Sequence, residues 1–226
     1  MKKLWLALWV CAALLPRAAA LSAAAAVTMD ADTGETLFAE NADSRLPMAS
    51  TTKIMTALVA LGEGGLDRVY TVKKQYAAVE GSSMYLEEGE RLTLRDTLYG
   101  LMLSSGNDAA AAVAGECGGE RAFVDKMNAK ARELGLTDTR FENPSGLPSD
   151  GHYTTARELA KITAAALRDP VFRDIVSTKT CTAAGRTLVN HNRLLSLYED
   201  AIGVKTGFTR AAGRCLVSAA ERNGRT

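Results

Sequence analysis

The chain has 226 residues and is almost electrically neutral, with 27 basic and 26 acidic side chains and a formal net charge of +1. Nucleic-acid-binding proteins normally carry a basic excess or patch, so this balance gives no support for a nucleic-acid partner. The four cysteines are widely spaced and form no C-x-x-C pair, and the histidines are His152 and His191. These counts argue against a structural zinc site and a histidine-rich catalytic metal site, and we expect neither a metal nor another cofactor.

The first twenty residues have the pattern of an export signal. Lys2 and Lys3 supply the positive start, residues 4–15 form an apolar run, and residues 18–20 are alanines that suit a cleavage site. An uncleaved membrane anchor is the alternative, although the apolar run is shorter than the ~20 residues that a membrane-spanning helix needs. We therefore expect an exported protein with one mature domain at residues 21–226.

Beyond the leader, hydrophobic periodicity and turn residues predict short strands near both ends of the chain and helices between them. Two strands are expected at 24–29 and 35–40, and a helix is expected from Pro47 to Gly62. Further helices are predicted at 92–103, 108–115, 122–134 and 155–167, and further strands at 187–189, 202–206 and 214–220. A sheet built from the two termini, with a helical block inserted, fits this order and predicts an α+β fold.

The first motif that suggests chemistry is Ser50-Thr51-Thr52-Lys53, at the start of a predicted helix. Residues three apart on a helix share a face, so the Ser50 hydroxyl and the Lys53 amine can meet. A serine hydroxyl needs a base to become a good nucleophile, and lysine can serve when burial or a nearby cation lowers its pKa. The alternative is that Ser50 caps the helix and Lys53 is a solvated charge.

The second motif, Ser105-Gly106-Asn107, lies between two predicted helices, where Gly106 permits a tight turn. A hydroxyl and an amide at such a break can relay a proton and hold a peptide group. Ser105 and Asn107 are equally ordinary helix caps, which leaves a purely structural interpretation open.

The third motif, Lys205-Thr206-Gly207, lies in a predicted strand. A positive charge and a hydroxyl suit a substrate carboxylate, and Gly207 leaves room for an extended peptide beside the strand. Because strand residues alternate between faces, Lys205 and Thr206 both serve only if this strand borders the cleft. The alternative is a surface lysine before a turn glycine.

Together and in this order, S-x-x-K, S-G-N and K-T-G resemble the signature of the penicillin-binding proteins. The surrounding sequence narrows the resemblance to the low-molecular-mass D-alanyl-D-alanine carboxypeptidases, from about residue 24 to residue 220. The matching stretches are residues 48–55, 81–86, 105–109, 143–147, 151–156 and 203–209.

The resemblance implies a DD-peptidase/β-lactamase-like fold, in which helices flank an antiparallel sheet and form an insertion. It implies that Ser50 attacks the carbonyl between the two terminal D-alanines of a peptidoglycan stem peptide. Lys53 would act as the base, and Ser105 would pass the proton to the departing amine. β-Lactams would mimic the substrate and trap Ser50 as an acyl-enzyme.

The same resemblance assigns the substrate-binding residues. Asn107 would hold the acyl peptide, and Lys205 and Thr206, beside Gly207, would bind the terminal carboxylate. The backbone N–H of the nucleophilic serine and that of Phe208 would form the oxyanion hole. Members of this family usually continue into more sheet and often into a second β-rich domain, so the resemblance also implies a domain truncated at its C-terminal end.

Three other functions are compatible with parts of this pattern. A class A β-lactamase would need a glutamate in an E-x-x-L-N loop, which Glu142-Asn143-Pro144 does not match. A DD-endopeptidase would use the same chemistry, and a catalytically silent module that binds wall peptides would keep the fold. We expect a structural role for His152, because no surrounding sequence pattern marks it as a base.

Overall fold

A computed structural model describes residues 22–226, so the export signal predicted at residues 1–20 lies outside the described residues. A 3-10 turn, Ala49–Thr52, runs directly into the first helix. The helices are α1 Lys53–Glu63, α2 Lys74–Ala77, α3 Leu94–Leu103, α4 Asn107–Glu116, α5 Glu120–Glu133, α6 Ala156–Leu167, α7 Pro170–Ser177 and α8 Leu194–Leu197. The strands are β1 Ala26–Met29, β2 Thr36–Glu40, β3 Val69–Thr71, β4 Arg91–Thr93, β5 Thr180–Ala183, β6 Arg186–Val189, β7 Ala201–Thr209 and β8 Gly213–Ala220.

The strands of residues 22–226 pair as antiparallel neighbours, β1 with β2, β3 with β4, β5 with β6 and β7 with β8. The α+β prediction is confirmed, but the two terminal hairpins lie in separate sheets, whereas the sequence predicted one sheet built from both ends. A backbone hydrogen bond of 2.9 Å from Ala31 to Thr226 links their ends. The alternation of apolar and polar residues along a strand shows which face is buried but does not identify the partner strand. This is why the sequence did not predict that the two hairpins lie in separate sheets.

Helix α1 is the centre of the core and packs against α3, α4, α5 and α6. Ile54, Met55 and Ala60 on α1 are at most 1% exposed, and so are the polar Lys53 and Thr56. A helix that is buried on nearly every side provides a rigid, dry support for whatever its N-terminus carries.

Local capping explains where the helices begin. Thr93 and Asp96 form a reciprocal capping box, so α3 starts at Leu94 and the residues just before it form β4. Asp169 accepts hydrogen bonds from the first turn of α7, whose first residue is Pro170. Among residues 22–226, no helix combines the length and the apolar character needed to cross a bilayer.

Candidate active site

Ser50 and Lys53 lie on one face at the junction of the 3-10 turn and α1. Lys53 Nζ is 3.1 Å from Ser50 Oγ. Lys53 is fully buried and Ser50 is half-buried, while the 3-10 turn has no side-chain cap. The alternative interpretation, a helix-capping serine beside a solvated lysine, is therefore wrong.

The other hydrogen bonds of Lys53 Nζ determine what the amine can do. Nζ lies 2.8 Å from Asn107 Oδ1 and 2.6 Å from the carbonyl oxygen of Ser145. Asn107 Nδ2 donates to the Glu80 carbonyl at 2.8 Å, which fixes Oδ1 as the atom that faces Lys53. Two acceptors take the two N–H groups of a neutral amine, so its lone pair is left for the hydroxyl of Ser50.

The surroundings favour the neutral amine. Burial lowers the pKa of Lys53 well below its ordinary value, and the positive charge of Lys205 lowers it further, against a smaller opposing effect of Asp108. Desolvation penalises the ammonium form because an ion loses its hydration in the protein interior. A buried lysine of this kind is able to accept the proton of a serine hydroxyl.

The break between α3 and α4 presents the second motif. Ser105 is buried there and has a φ of 60°, in the left-handed region that non-glycine residues rarely adopt. The backbone N–H of Asn107 donates to the Ser82 carbonyl at 2.7 Å, so the loop at residues 80–86 lies against the start of α4. Asn107 of this motif reaches Lys53, whereas the proton-relay role of Ser105 stays a prediction.

Asp108 holds the 80–86 loop, a role that the sequence analysis missed. Its carboxylate accepts hydrogen bonds from the Ser83 hydroxyl at 2.6 Å and from the backbone N–H groups of Met84 and Leu86 at 3.0 Å each. The available clue to this role was the stretch at residues 81–86, which is part of the family resemblance. Its backbone N–H groups need an acceptor once the loop is buried.

Strand β7 closes the site from the other side. Lys205 is 1% exposed, its Nζ donates to the Thr206 carbonyl at 3.0 Å, and burial lowers its pKa to about 7. A Cβ on Gly207 would lie 3.0 Å from the backbone nitrogen of Ser50, so glycine allows β7 to pass directly beside the serine. Phe208 is 64% exposed, and the oxyanion-hole role of its backbone N–H stays a prediction.

The 143–147 loop supplies the carbonyl that Lys53 uses, and the sequence analysis assigned it no role. Asn143 Oδ1 accepts hydrogen bonds from the N–H groups of Ser145 and Gly146, at 3.2 and 2.7 Å. Its Nδ2 donates to the Leu147 carbonyl at 2.9 Å. An asparagine two and three residues before such N–H groups is typical of a local side-chain turn, and that pattern was the available clue.

No cluster of three or more histidine, cysteine or acidic side chains within residues 22–226 is arranged to share a metal ion. Cys117, Cys181 and Cys215 are free thiols in this part of the chain. The expectation of a site without metal or cofactor stays a prediction.

A family model described as D-alanyl-D-alanine carboxypeptidase matches residues 12–226. The chain belongs to this family. The family resemblance inferred from the three motifs and the DD-peptidase fold are both confirmed, and with them the serine-peptidase class.

Individual relatives agree with this assignment. The chain is 40% identical over 229 residues to a D-alanyl-D-alanine carboxypeptidase of Streptomyces sp. (strain K15). The aligned region covers 91% of this chain and 79% of that protein. It is also 40% identical to D-alanyl-D-alanine carboxypeptidase DacF of Bacillus subtilis, over 88% of this chain and 54% of the relative. The crystal structure of the Streptomyces K15 DD-transpeptidase superimposes with a TM-score of 0.83 and 40% identity, over 88% of this chain and 85% of that one. The chain thus spans about half the length of the Bacillus relative and most of the length of the Streptomyces one.

Proposed function

We propose that this protein is a serine-type D-alanyl-D-alanine carboxypeptidase, which removes the terminal D-alanine of peptidoglycan stem peptides through an acyl-enzyme on Ser50. The observation that carries the proposal is the buried Lys53 amine, 3.1 Å from Ser50 Oγ and with its pKa lowered by burial. General-base activation of this kind is worth roughly 10²–10⁴-fold in rate.

In the acylation step, Ser50 Oγ forms a bond to the carbonyl carbon between the two D-alanines while its proton moves to Lys53 Nζ. The C–N bond then breaks, and Ser105 relays the proton from Lys53 to the nitrogen of the departing D-alanine, which restores the neutral amine and the Ser105 hydroxyl. The backbone N–H groups of Ser50 and Phe208 stabilise the negative charge that develops on the carbonyl oxygen. Water later attacks the ester, releases the shortened peptide and restores the serine.

Recognition of the substrate follows from charge and position. Lys205 and the Thr206 hydroxyl bind the free terminal carboxylate, and Gly207 allows the peptide to lie along β7 close to the nucleophile. Asn107 holds Lys53 through Oδ1 and contacts the acyl part of the peptide. A β-lactam offers the same carboxylate, but its leaving amine stays tethered, so it blocks water and leaves the enzyme trapped.

The substrate places the action of the protein outside the cytoplasm, in the cell wall or at the outer face of the cytoplasmic membrane. Export by residues 1–20 is part of this proposal. A second candidate reaction is transfer of the acyl group to an amine in place of water, since the similar Streptomyces K15 structure is that of a DD-transpeptidase. The DD-endopeptidase reaction, β-lactamase activity and a silent binding module are the other outcomes that the assay must separate.

The test is release of free D-alanine from diacetyl-L-lysyl-D-alanyl-D-alanine, with and without a glycine-based amine acceptor. Turnover of nitrocefin, cleavage of cross-linked peptide dimers and acylation by benzylpenicillin are measured beside it. We expect D-alanine release with little nitrocefin hydrolysis. Fast nitrocefin hydrolysis without D-alanine release would favour the β-lactamase, and cleavage confined to cross-linked dimers would favour the endopeptidase. Absence of both turnover and acylation would leave a binding module.

A further inference from the structure

The peptide unit that joins Ala49 to Ser50 is held unusually tightly. Ala49 is buried with a φ of 47°, a conformation that costs a non-glycine residue free energy and persists only when its surroundings enforce it. At the oxygen end, a Cβ on Gly146 would lie 1.9 Å from the Ala49 carbonyl oxygen. At the nitrogen end, a Cβ on Gly207 would lie 3.0 Å from the Ser50 nitrogen.

A chain of side-chain hydrogen bonds ends on the oxygen of this peptide. The Thr52 hydroxyl lies 2.8 Å from the Ala49 carbonyl oxygen and 2.7 Å from His152 Nε2. His152 Nδ1 in turn lies 3.1 Å from the backbone nitrogen of Glu142. Thr52 and His152 are both buried, at 0% and 4% exposure, so water does not compete for these bonds.

The direction of each hydrogen bond follows from the groups at the two ends. The Glu142 N–H can only donate, so His152 Nδ1 accepts and the ring proton resides on Nε2. Nε2–H therefore donates to Thr52 Oγ1, whose own proton goes to the Ala49 carbonyl. Burial lowers the pKa of His152 to about 4, against a smaller opposing effect of Glu142, so the ring is neutral at pH 7.

We propose that His152 and Thr52 are positioning residues for the oxyanion hole, which fix and polarise the Ala49–Ser50 peptide so that the Ser50 N–H is a better donor. A hydrogen bond accepted by an amide oxygen strengthens the N–H of the same amide, and such effects accumulate along a chain of bonds. The inference rests on the proposed function, because it requires that the Ser50 N–H stabilises the acyl carbonyl oxygen.

The chain offers a matched control for Thr52. Thr51 is also fully buried, and its hydroxyl donates to the Met48 carbonyl at 2.6 Å, the same three-residue geometry without a link to His152. Thr52→Val and Thr51→Val each delete one buried hydroxyl–carbonyl bond, but only Thr52→Val interrupts the chain that ends on Ala49.

Two readouts separate positioning from a merely structural role. The first is the rate of acylation by benzylpenicillin, and the second is the infrared stretching frequency of the acyl-ester carbonyl, which rises when oxyanion-hole hydrogen bonds weaken. For Thr52→Val we expect about tenfold slower acylation, less than the loss of a direct oxyanion donor, together with a higher carbonyl frequency. Thr51→Val should match the wild type in both, whatever its melting temperature.

Histidine variants test the other end of the chain. His152→Leu should reproduce the Thr52→Val effects, whereas His152→Gln, which keeps an N–H donor, should restore much of the rate. The double variant Thr52→Val/His152→Leu should be no slower than either single variant, because both interrupt one chain of bonds. If Thr52→Val does not fold, Thr52→Ser compared with His152→Leu makes the same test, with the serine hydroxyl expected to preserve the rate.

The outcomes distinguish this inference from the proposed function. Wild-type protein that benzylpenicillin does not acylate would overturn the proposed function itself. Normal acylation of the wild type, with unchanged rate and carbonyl frequency in Thr52→Val and His152→Leu, would overturn only the positioning role. Equal slowing in Thr51→Val and Thr52→Val would also overturn it, since loss of any buried hydroxyl would then suffice.

Discussion

The candidate site contains two buried lysines, Lys53 and Lys205, whose amines have lowered pKa values. Burial lowers the pKa of both Lys53 and Lys205, and the positive charge of Lys205 lowers the pKa of Lys53 further. Removing an ammonium from water opposes folding, so these amines are kept at a cost to stability. Their positions suit two roles, a base at Lys53 and a carboxylate-binding group at Lys205.

The base role predicts the effect of Lys53→Arg. Arginine keeps the positive charge but does not deprotonate in proteins, so acylation by benzylpenicillin should slow by roughly 100-fold or more. Stopped-flow acylation kinetics measure this, with circular dichroism to verify folding. Near-normal acylation of the variant would mean that another group removes the Ser50 proton.

The buried charge of Lys205 predicts a pH-dependent gain in stability for Lys205→Met. Burial lowers the pKa of Lys205 from 10.5 to about 7, so between these values the unfolded chain binds a proton that the folded chain does not. The contribution of Lys205 to the free energy of unfolding is therefore most unfavourable below pH 7 and improves as pH rises toward 10.5. Lys205→Met should raise the melting temperature at pH 6 and progressively less toward pH 10.

The control for this comparison is Lys161→Met, which changes an exposed lysine on α6. Because this side chain is exposed, its replacement removes no buried amine and should leave the melting temperature at pH 6 close to that of the wild type. A Lys205→Met variant that is equally stabilised at every pH, or destabilised at pH 6, would contradict the burial argument. Lys205→Met should also lose more affinity for peptides with a free terminal carboxylate than for their methyl esters.

Individual residues also show where sequence reasoning ends. The i to i+3 spacing predicted the contact between Ser50 and Lys53, because helix geometry determines it locally. The Ser145 carbonyl lies 92 residues from Lys53 in the chain and His152 lies 100 residues from Thr52, and no local pattern predicts contacts over such separations. His152 was expected to be structural, and its buried hydrogen bond to Thr52 is the basis of the positioning role proposed above.

At the scale of the elements, β7 must approach the 3-10 turn closely, and Gly207 makes this possible. Gly207→Ala would place a methyl group 3.0 Å from the Ser50 nitrogen, so strand and turn must separate by a few tenths of an ångström. Because catalysis depends on placement within fractions of an ångström, acylation should slow by about ten- to a hundredfold. Acylation kinetics beside thermal unfolding measure both consequences.

Gly62→Ala provides the control for that substitution. Gly62 is exposed on α1, and apart from its chain neighbours and the backbone of its own helix no atom lies within 4 Å of the position its Cβ would take. Alanine there should stabilise the protein by about 0.5–1 kcal/mol with unchanged acylation, because glycine is a poor helix former. Unimpaired acylation in Gly207→Ala would show that close approach of β7 is not needed.

Most of the elements were predictable from periodicity, and the exceptions have physical reasons. The helix expected at 92–103 starts at Leu94, because the Thr93 cap ends β4 there. Helix α7 was not predicted, although Asp169 before Pro170 is typical of a helix start. Its eight residues are too few for a clear period, so capping was the only local clue.

For the whole molecule, the candidate site depends on three distant segments that converge. The 3-10 turn with α1, the break between α3 and α4, and β7 each contribute one motif, and the central position of α1 brings them together. The sequence alone did not show that these three segments meet. That expectation came from the resemblance of the three motifs, in their order, to the penicillin-binding proteins. Pairing of the terminal hairpins was mispredicted, because partners of strands far apart in the chain are chosen by tertiary packing rather than by local pattern.

The most direct measurement is the location of the covalent adduct after treatment of the full chain with benzylpenicillin, by mass spectrometry of proteolytic peptides. Lys53 is buried beside Ser50 and burial lowers its pKa, so we expect one stoichiometric adduct on Ser50 and none in Ser50→Ala. An adduct on another residue, or labelling of Ser50→Ala at the wild-type level, would contradict the account.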